Sequence, residues 1–326
     1  MAFIQKIPIA PNLDFLGKRK LFLAFSSALM VASVALFLVV GLNLGIDFRG
    51  GTLIEVRFHQ APNLSELRNG LSGLGLGQVT LQEFGEATDV LINVQRQEGD
   101  EATQIKAIEA IKTFLGDAVA EYRRTEFVGP TVGGELRQAG ILATLLALLG
   151  IGFYVWFRFE WQFSVAALIA LSHDVVATIG FYCLTQIEFN LATLAAVLTI
   201  AGYSINDTVV IFDRVRENLR KYKKLPLPEL LNKSLNQTLT RTLLTSITTL
   251  LALFALFFFG GEVIRGFTAG LIWGVAIGTY SSIGLAVPLM LYMNLRGALG
   301  GTKAGGAKAE IEDQSETKTG EVTPAG

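Results

Sequence analysis

Two aspartates stand where a chain built for hydrocarbon has little use for charge. Asp207 lies in GYSINDTVVIFDRVREN, residues 202–218, inside an apolar run that begins at Phe189 and turns frankly polar only at Asp213. A charged aspartate near the centre of a membrane helix costs ~2.5 to 3.5 kcal/mol to insert, so such residues face a bundle interior and mark function. Counting back ~1.5 Å per residue from Asp213 places Asp207 ~9 Å inside the boundary, beyond easy reach of bulk water. A carboxylate at that depth can gain and lose a proton during a cycle, and its pull on a nearby cation changes with its charge. The structural alternative is an aspartate held by neighbouring hydroxyls. Asp174, in SHDVV, leaves both readings open: a second relay carboxylate, or one paired permanently with His173 or a backbone amide.

Arg241 is the expected partner of Asp207. If the fifth membrane helix begins near Ser234, after Pro226 and Pro228, Arg241 lies ~10 Å from that end, at nearly the depth of Asp207. It could pair with the carboxylate, or snorkel as a boundary anchor. Thr238, Thr242, Thr245 and Thr249 share one face of a helix otherwise made of leucine and phenylalanine. Such a stripe suits helix contacts or a water path. Tyr203, Ser204 and Asn206 add donors near the carboxylate. Gly270, Gly274, Gly278 and Ser282 recur at four-residue steps, a ridge over which another helix backbone can pack closely. Paired membrane aspartates also occur in intramembrane aspartic proteases, where two carboxyls share one proton. The flanking residues here lack the YD and GxGD motifs of that class.

These side chains need a membrane scaffold, and composition supplies one. The 326 residues are 51% hydrophobic and only 17% charged, too apolar for one soluble domain of that length. Each charge-free stretch exceeds or approaches the ~20 residues that cross ~30 Å of hydrocarbon as a helix. The reading is a polytopic α-helical membrane protein with six spans, near 21–46, 138–157, 164–185, 190–212, 235–260 and 267–295. Lys18, Arg19 and Lys20 precede the first run, whose length is that of a spanning helix rather than a cleaved signal peptide. Lysine and arginine crowd the N-terminal segment 1–20 and the loop 213–234, so both termini are expected in the cytoplasm.

The stretch 47–137 would then be extracytoplasmic. TLIEVRFH alternates Ile54, Val56 and Phe58 with Glu55, Arg57 and His59, a strand signature. Asn63 followed by Glu66 is a capping box before Leu64, Leu67, Leu71 and Leu74 at helical spacing. Strands near 78–84 and 89–95, a helix through Ile105, Ile108, Ile111 and Leu115, and a strand near 118–128 complete a βαββαβ, ferredoxin-like α+β domain. His59 reads as a surface residue. The tail 297–326 has no apolar periodicity and is expected to be disordered.

Other chemistry finds little support. No GxxxxGK[ST] or GxGxxG occurs, so no nucleotide hydrolysis and no enzyme activity is expected. Cys183 stands alone and the two histidines, His59 and His173, lie far apart, arguing against disulfides and against a metal site. A net charge of -1 argues against nucleic acid. No cofactor is expected beyond protons as the coupling ion.

Three blocks, GIDFRGGT at 45–52, GPTVGGEL at 129–136 and YSINDTVVIFDRVREN at 203–218, with NQTLTRTLLTS at 236–246, resemble the SecD/SecF family of bacterial protein-export membrane subunits. The likeness covers roughly residues 15–296 and is of the SecF type, half of a resistance-nodulation-division (RND) bundle. It implies a SecD partner, association with the SecYEG channel and often YajC, and proton-driven movement of unfolded preproteins after SecA has started them. It also implies a multi-pass protein of the bacterial-type inner membrane, with proton-responsive Asp207 and a functional Arg241, and an outer domain that moves. Two alternatives of other classes are an RND-type small-molecule or lipid exporter subunit and a proton-independent membrane-assembly chaperone.

Overall fold

The computed structural model describes residues 12–295, except 78, 96, 98–100, 262–263 and 294. The expected disordered tail lies outside the described residues, as does most of the N-terminal segment. In chain order the elements are α1 (Arg19–Val39), the short α2 (Ile46–Arg49), β1 (Gly51–Phe58), α3 (Leu64–Ser72), β2 (Val79–Phe84), β3 (Glu86–Val94), α4 (Glu101–Leu115) and β4 (Val119–Val128). They continue with α5 (Pro130–Arg158), α6 (Trp161–Thr185), α7 (Leu191–Lys221), α8 (Leu227–Phe259) and α9 (Arg265–Ser281). Among the described residues, six helices are long and apolar enough to cross a membrane: α1, α5, α6, α7, α8 and the run from α9 to Tyr292. The chain is a multi-pass membrane protein.

The α+β domain follows from its alternating pattern. Its four strands form one antiparallel sheet in the order β2-β3-β1-β4, the split arrangement of a ferredoxin-like fold. Ile54, Val56 and Phe58 bury one face against Leu67 and Leu71 of α3 and Ile111 of α4. Asn63 starts α3 by accepting the backbone N–H of Ser65 and Glu66, as an N-cap should. His59 is exposed. On the other face, Asp89 takes Arg57 at 2.7 Å and Arg123 at 2.9 Å. Both guanidiniums hold the Asp89 carboxyl below the usual carboxylate range, the Arg57 hydrogen bond first.

The membrane part departs from the expected spans at both ends of the basic loop. The segment 213–234 is mostly helical: α7 runs on to Lys221 and α8 starts at Leu227, with a tight turn between. Arginine, lysine, glutamate and leucine sustain a helix beyond the hydrocarbon, and Pro226 sits at the N-cap of α8, where its missing N–H does no harm. The helix start therefore does not mark the membrane boundary, and the depth assigned to Arg241 from it does not hold. The sixth span is not one regular helix either. A π-turn over Ser282–Ala286 follows α9, just before Pro288, and absorbs the backbone bond that the proline cannot make. Helix α1 ends at Val39 rather than near 46.

Candidate proton site and its anchorage

Asp207 is buried, at 5% exposure, on the α7 face that meets α8. Thr245 and Ser246 of α8 face it, and Arg241 acts on it through space. The hydroxyl protons nevertheless go elsewhere. Thr245 donates to the carbonyls of Arg241 and Thr242, and Ser246 to that of Thr242 at 2.9 Å, while sharing a 2.7 Å contact with Thr279. Asp207 Oδ2 is left without a hydrogen bond among the described residues, and so is the buried Thr242 Oγ1 of α8. Arg241 is exposed and makes no ion pair with Asp207 in this state. A buried carboxylate oxygen with no partner is costly as an anion. It is a place where a proton, or water carrying one, would be welcome.

Not every residue expected around this carboxylate is brought to it. Asn206 is exposed: adjacent residues on a helix do not share a face. Tyr203 turns to Thr249, 3.3 Å away. Thr238 bonds back to Ser234 and Leu235 within its own helix. Of the stripe, Thr245 is the member that faces the site.

Asp174 lives in a different environment. It is wholly buried, with Oδ1 3.0 Å from His173 Nδ1, while Oδ2 accepts Ser204 of α7 at 2.6 Å and Ser281 of α9 at 2.7 Å. A second pair, Thr208 and Ser282, bridges α7 to the π-turn at 2.7 Å. The glycine ridge makes this seam possible. A Cβ on Gly274 would lie 2.2 Å from Ile200, and one on Gly278 2.9 Å from Ser204, so α9 seats directly on α7. Gly270 meets Tyr182 of α6. The neighbours of the ridge thus lie within this chain. Ser282 stands in the four-residue ridge, whereas Ser281 has no sequence signal beyond its small size.

Helix α7 is also tied to the root of the α+β domain. Asp47 Oδ2 accepts the Leu191 N–H, the first of α7, at 2.8 Å, a carboxylate on the positive end of the helix. Leu44 pairs with Phe189, whose N–H reaches the Asn43 carbonyl at 2.7 Å, and Gln186 holds the Gly41 carbonyl. Gly50 and Gly51, at φ of 72° and 134°, turn the chain from α2 into β1 through backbone that side-chain-bearing residues avoid. Gly133 of α5 packs on that turn, its Cβ position 3.1 Å from the Gly50 nitrogen. The first two sequence blocks therefore meet at one joint. Glu188 lies half-buried there, and burial, then the Asp47 charge, pushes its carboxyl up.

Protein export membrane protein SecD/SecF, C-terminal, is the family description matched by residues 108–296, and the SecD/SecF GG motif is matched by residues 35–62. The chain belongs to the SecD/SecF family. Relatives in that family include a protein translocase subunit SecF of Rickettsia conorii, 47% identical over 290 residues, 88% of this chain and 94% of that one. Another, from Cereibacter sphaeroides, is 45% identical over 325 residues, 96% of this chain and 100% of that one. Among solved structures, SecDF of Thermus thermophilus, described as a translocon-associated membrane protein, matches with a TM-score of 0.79 at 36% identity, over 88% of this chain and 39% of that one. SecDF in a super-membrane-facing form matches at 0.65, also at 36% identity, over 90% and 40%. The chain therefore spans about two fifths of those SecDF chains. The joint built on Gly50, Gly51 and Asp47 falls inside the matched GG motif.

Proposed function

We propose that this chain is the SecF-type half of a proton-driven unit that promotes the late movement of preproteins across the membrane, with Asp207 as its coupling carboxylate. The observation that carries the reading is the buried Asp207 oxygen without a hydrogen bond, beside an arginine not yet paired with it. Moving one proton through 100 mV is worth ~2.3 kcal/mol, which biases a two-state element roughly fiftyfold. Protonation of Asp207 weakens its pull on Arg241, and α7 and α8 shift. Because Asp47 accepts the first N–H of α7, the shift reaches the joint and swings the α+β domain, hindering backsliding of the emerging chain.

A SecD-type subunit supplies the other six helices. Asn206 and Arg241 are exposed on spanning helices, and polar groups at such positions face protein or water rather than lipid. The pair works with SecYEG, and with YajC, downstream of SecA, in a bacterial-type inner membrane with both termini of this chain cytoplasmic and the α+β domain outside. Protons are the only coupling species, and no bond of the preprotein is made or broken. Co-purification from cells is the test. Recovery of a SecD chain and channel subunits supports the reading, whereas a homo-oligomer alone would support an exporter.

A further inference from the structure

A cleft of about 490 Å³ opens between α1, α5, α6 and α7, just below the joint of the α+β domain. Its walls are apolar, with Phe37 of α1, Ile141 and Leu145 of α5, Ile179 of α6 and Leu194 of α7. Phe48 and Phe189, stacked with centroids 5.9 Å apart, close one end. The hydroxyl of Thr144, the single polar side chain in the wall besides Arg137, is already given to the Gly140 carbonyl at 2.9 Å. Gly140 lets α5 approach α7 closely, its Cβ position lying 2.7 Å from Leu194. At the mouth stands Arg137, exposed and without a hydrogen bond or ion pair among the described residues.

We infer that this cleft binds one glycerophospholipid from the leaflet on the domain side, its phosphate on Arg137 and one acyl chain along the apolar walls. Water has no partners inside and leaves such a cavity dry. A peptide segment would strand its backbone groups there. An amphiphile with a phosphate at one end meets both demands, since a guanidinium takes phosphate oxygens in a two-pronged fork. An arginine at a membrane boundary commonly snorkels to bulk headgroups, and the cleft beneath Arg137 is what separates this position from that ordinary case. Lipid tails are as apolar as leucine, so the tail alone gains little by leaving the bilayer, and selectivity rests on the headgroup. A seated chain would lie against Phe48 and Phe189, the residues where the GG segment meets the turn before α7. The lipid braces the joint through which α7 and the domain are tied.

The test uses the full chain, with whatever subunits co-purify, in vesicles carrying a phosphatidylglycerol whose acyl chain bears a photoreactive diazirine. The control is diacylglycerol with the same chain. The expected result is labelling of peptides spanning 37–42 and 141–145, favoured about tenfold by the phosphate-bearing lipid. Arg137→Gln removes that preference and Arg137→Lys keeps most of it. Ile141→Trp fills the cleft without touching the charge and removes the labelling, while the labelling kept by Arg137→Lys guards against a variant that merely folds poorly. Equal labelling by diacylglycerol, or unchanged labelling of Arg137→Gln, means an annular lipid only and overturns the site. Labelling present in the isolated chain but lost when partner subunits are bound assigns the cleft to a protein interface and overturns it as well.

Discussion

Two carboxylates sit inside the membrane part of this protein, on the adjacent helices α6 and α7, and they are handled in opposite ways. Asp174 is surrounded: His173 holds one oxygen and the hydroxyls of Ser204 and Ser281 hold the other, across three helices packed through a glycine ridge. Asp207 faces α8 with one oxygen unbonded and with an arginine nearby that is exposed and not paired to it. The first arrangement fixes helices together. The second leaves a charge whose best state depends on whether a proton, or Arg241, is present. Burial alone does not make an acid into a coupling site; the satisfaction of its oxygens decides whether it is structural or responsive.

If that division is right, perturbing the two sites should separate stability from proton response. The largest effect on stability is expected for Asp174→Ala. Removing the carboxyl leaves the buried hydroxyls of Ser204 and Ser281 and the His173 ring without their acceptor, at ~1 to 3 kcal/mol for each such group, read as a drop in the unfolding midpoint of the purified protein, whereas Asp207→Asn should leave that midpoint nearly unchanged. Equal losses for both would erase the distinction. Next comes Gly274→Leu. Overpacking the α7–α9 seam should cost ~1 to 3 kcal/mol, while Gly202→Ala, with open space around it, should be neutral or slightly stabilising.

Asp47→Ala removes the carboxylate on the first N–H of α7 while the Asn190–Thr193 capping box stays, and should cost ~0.3 to 1 kcal/mol, with faster hydrogen exchange at the Leu191 amide. Protection that stays the same there would sever the proposed link from α7 to the domain. The smallest effects are those of pH on the charges of the α+β domain and its joint. The Asp89 carboxyl is held below its unfolded value of ~3.9, so its contribution is complete at neutral pH and disappears only as pH falls through the still lower folded value. Glu188 is raised, so its sign is reversed: its favourable contribution is present below ~4.3 and is lost as pH rises toward the folded value. Unfolding of Asp89→Asn and Glu188→Gln across pH 3 to 7 checks both slopes.

Much of this arrangement could be read from the chain before any coordinates. Charge-free runs of spanning length identify the membrane helices because nothing else makes lipid tolerate a backbone. The alternation of Ile54, Val56 and Phe58 fixes a strand, and Asn63 with Glu66 fixes the start of α3. What stayed hidden has physical reasons. The polarity change suggests where α7 and α8 end, but helical propensity does not stop where hydrocarbon does. Asn206 was assigned to the carboxylate by nearness in sequence, although a neighbour in a helix points about 100° away. Asp47 reaches the Leu191 amide across 144 residues, and no local pattern announces such a contact. Asp207 itself was legible because a charge in that run needs a reason; its unbonded oxygen was not, since it depends on where the α8 hydroxyls send their protons.

The central claim, that Asp207 rather than Asp174 exchanges the proton, is open to direct spectroscopic titration. Infrared difference spectra of the membrane-embedded protein between acid and alkaline pH should contain a protonated-carboxyl stretch that vanishes on deprotonation. In a Glu188→Gln background, which removes the other raised carboxyl, the expected component of this band is present with Asp174 intact or replaced by Asn and is missing in Asp207→Asn. A band that survives in Asp207→Asn and is lost in Asp174→Asn would contradict it.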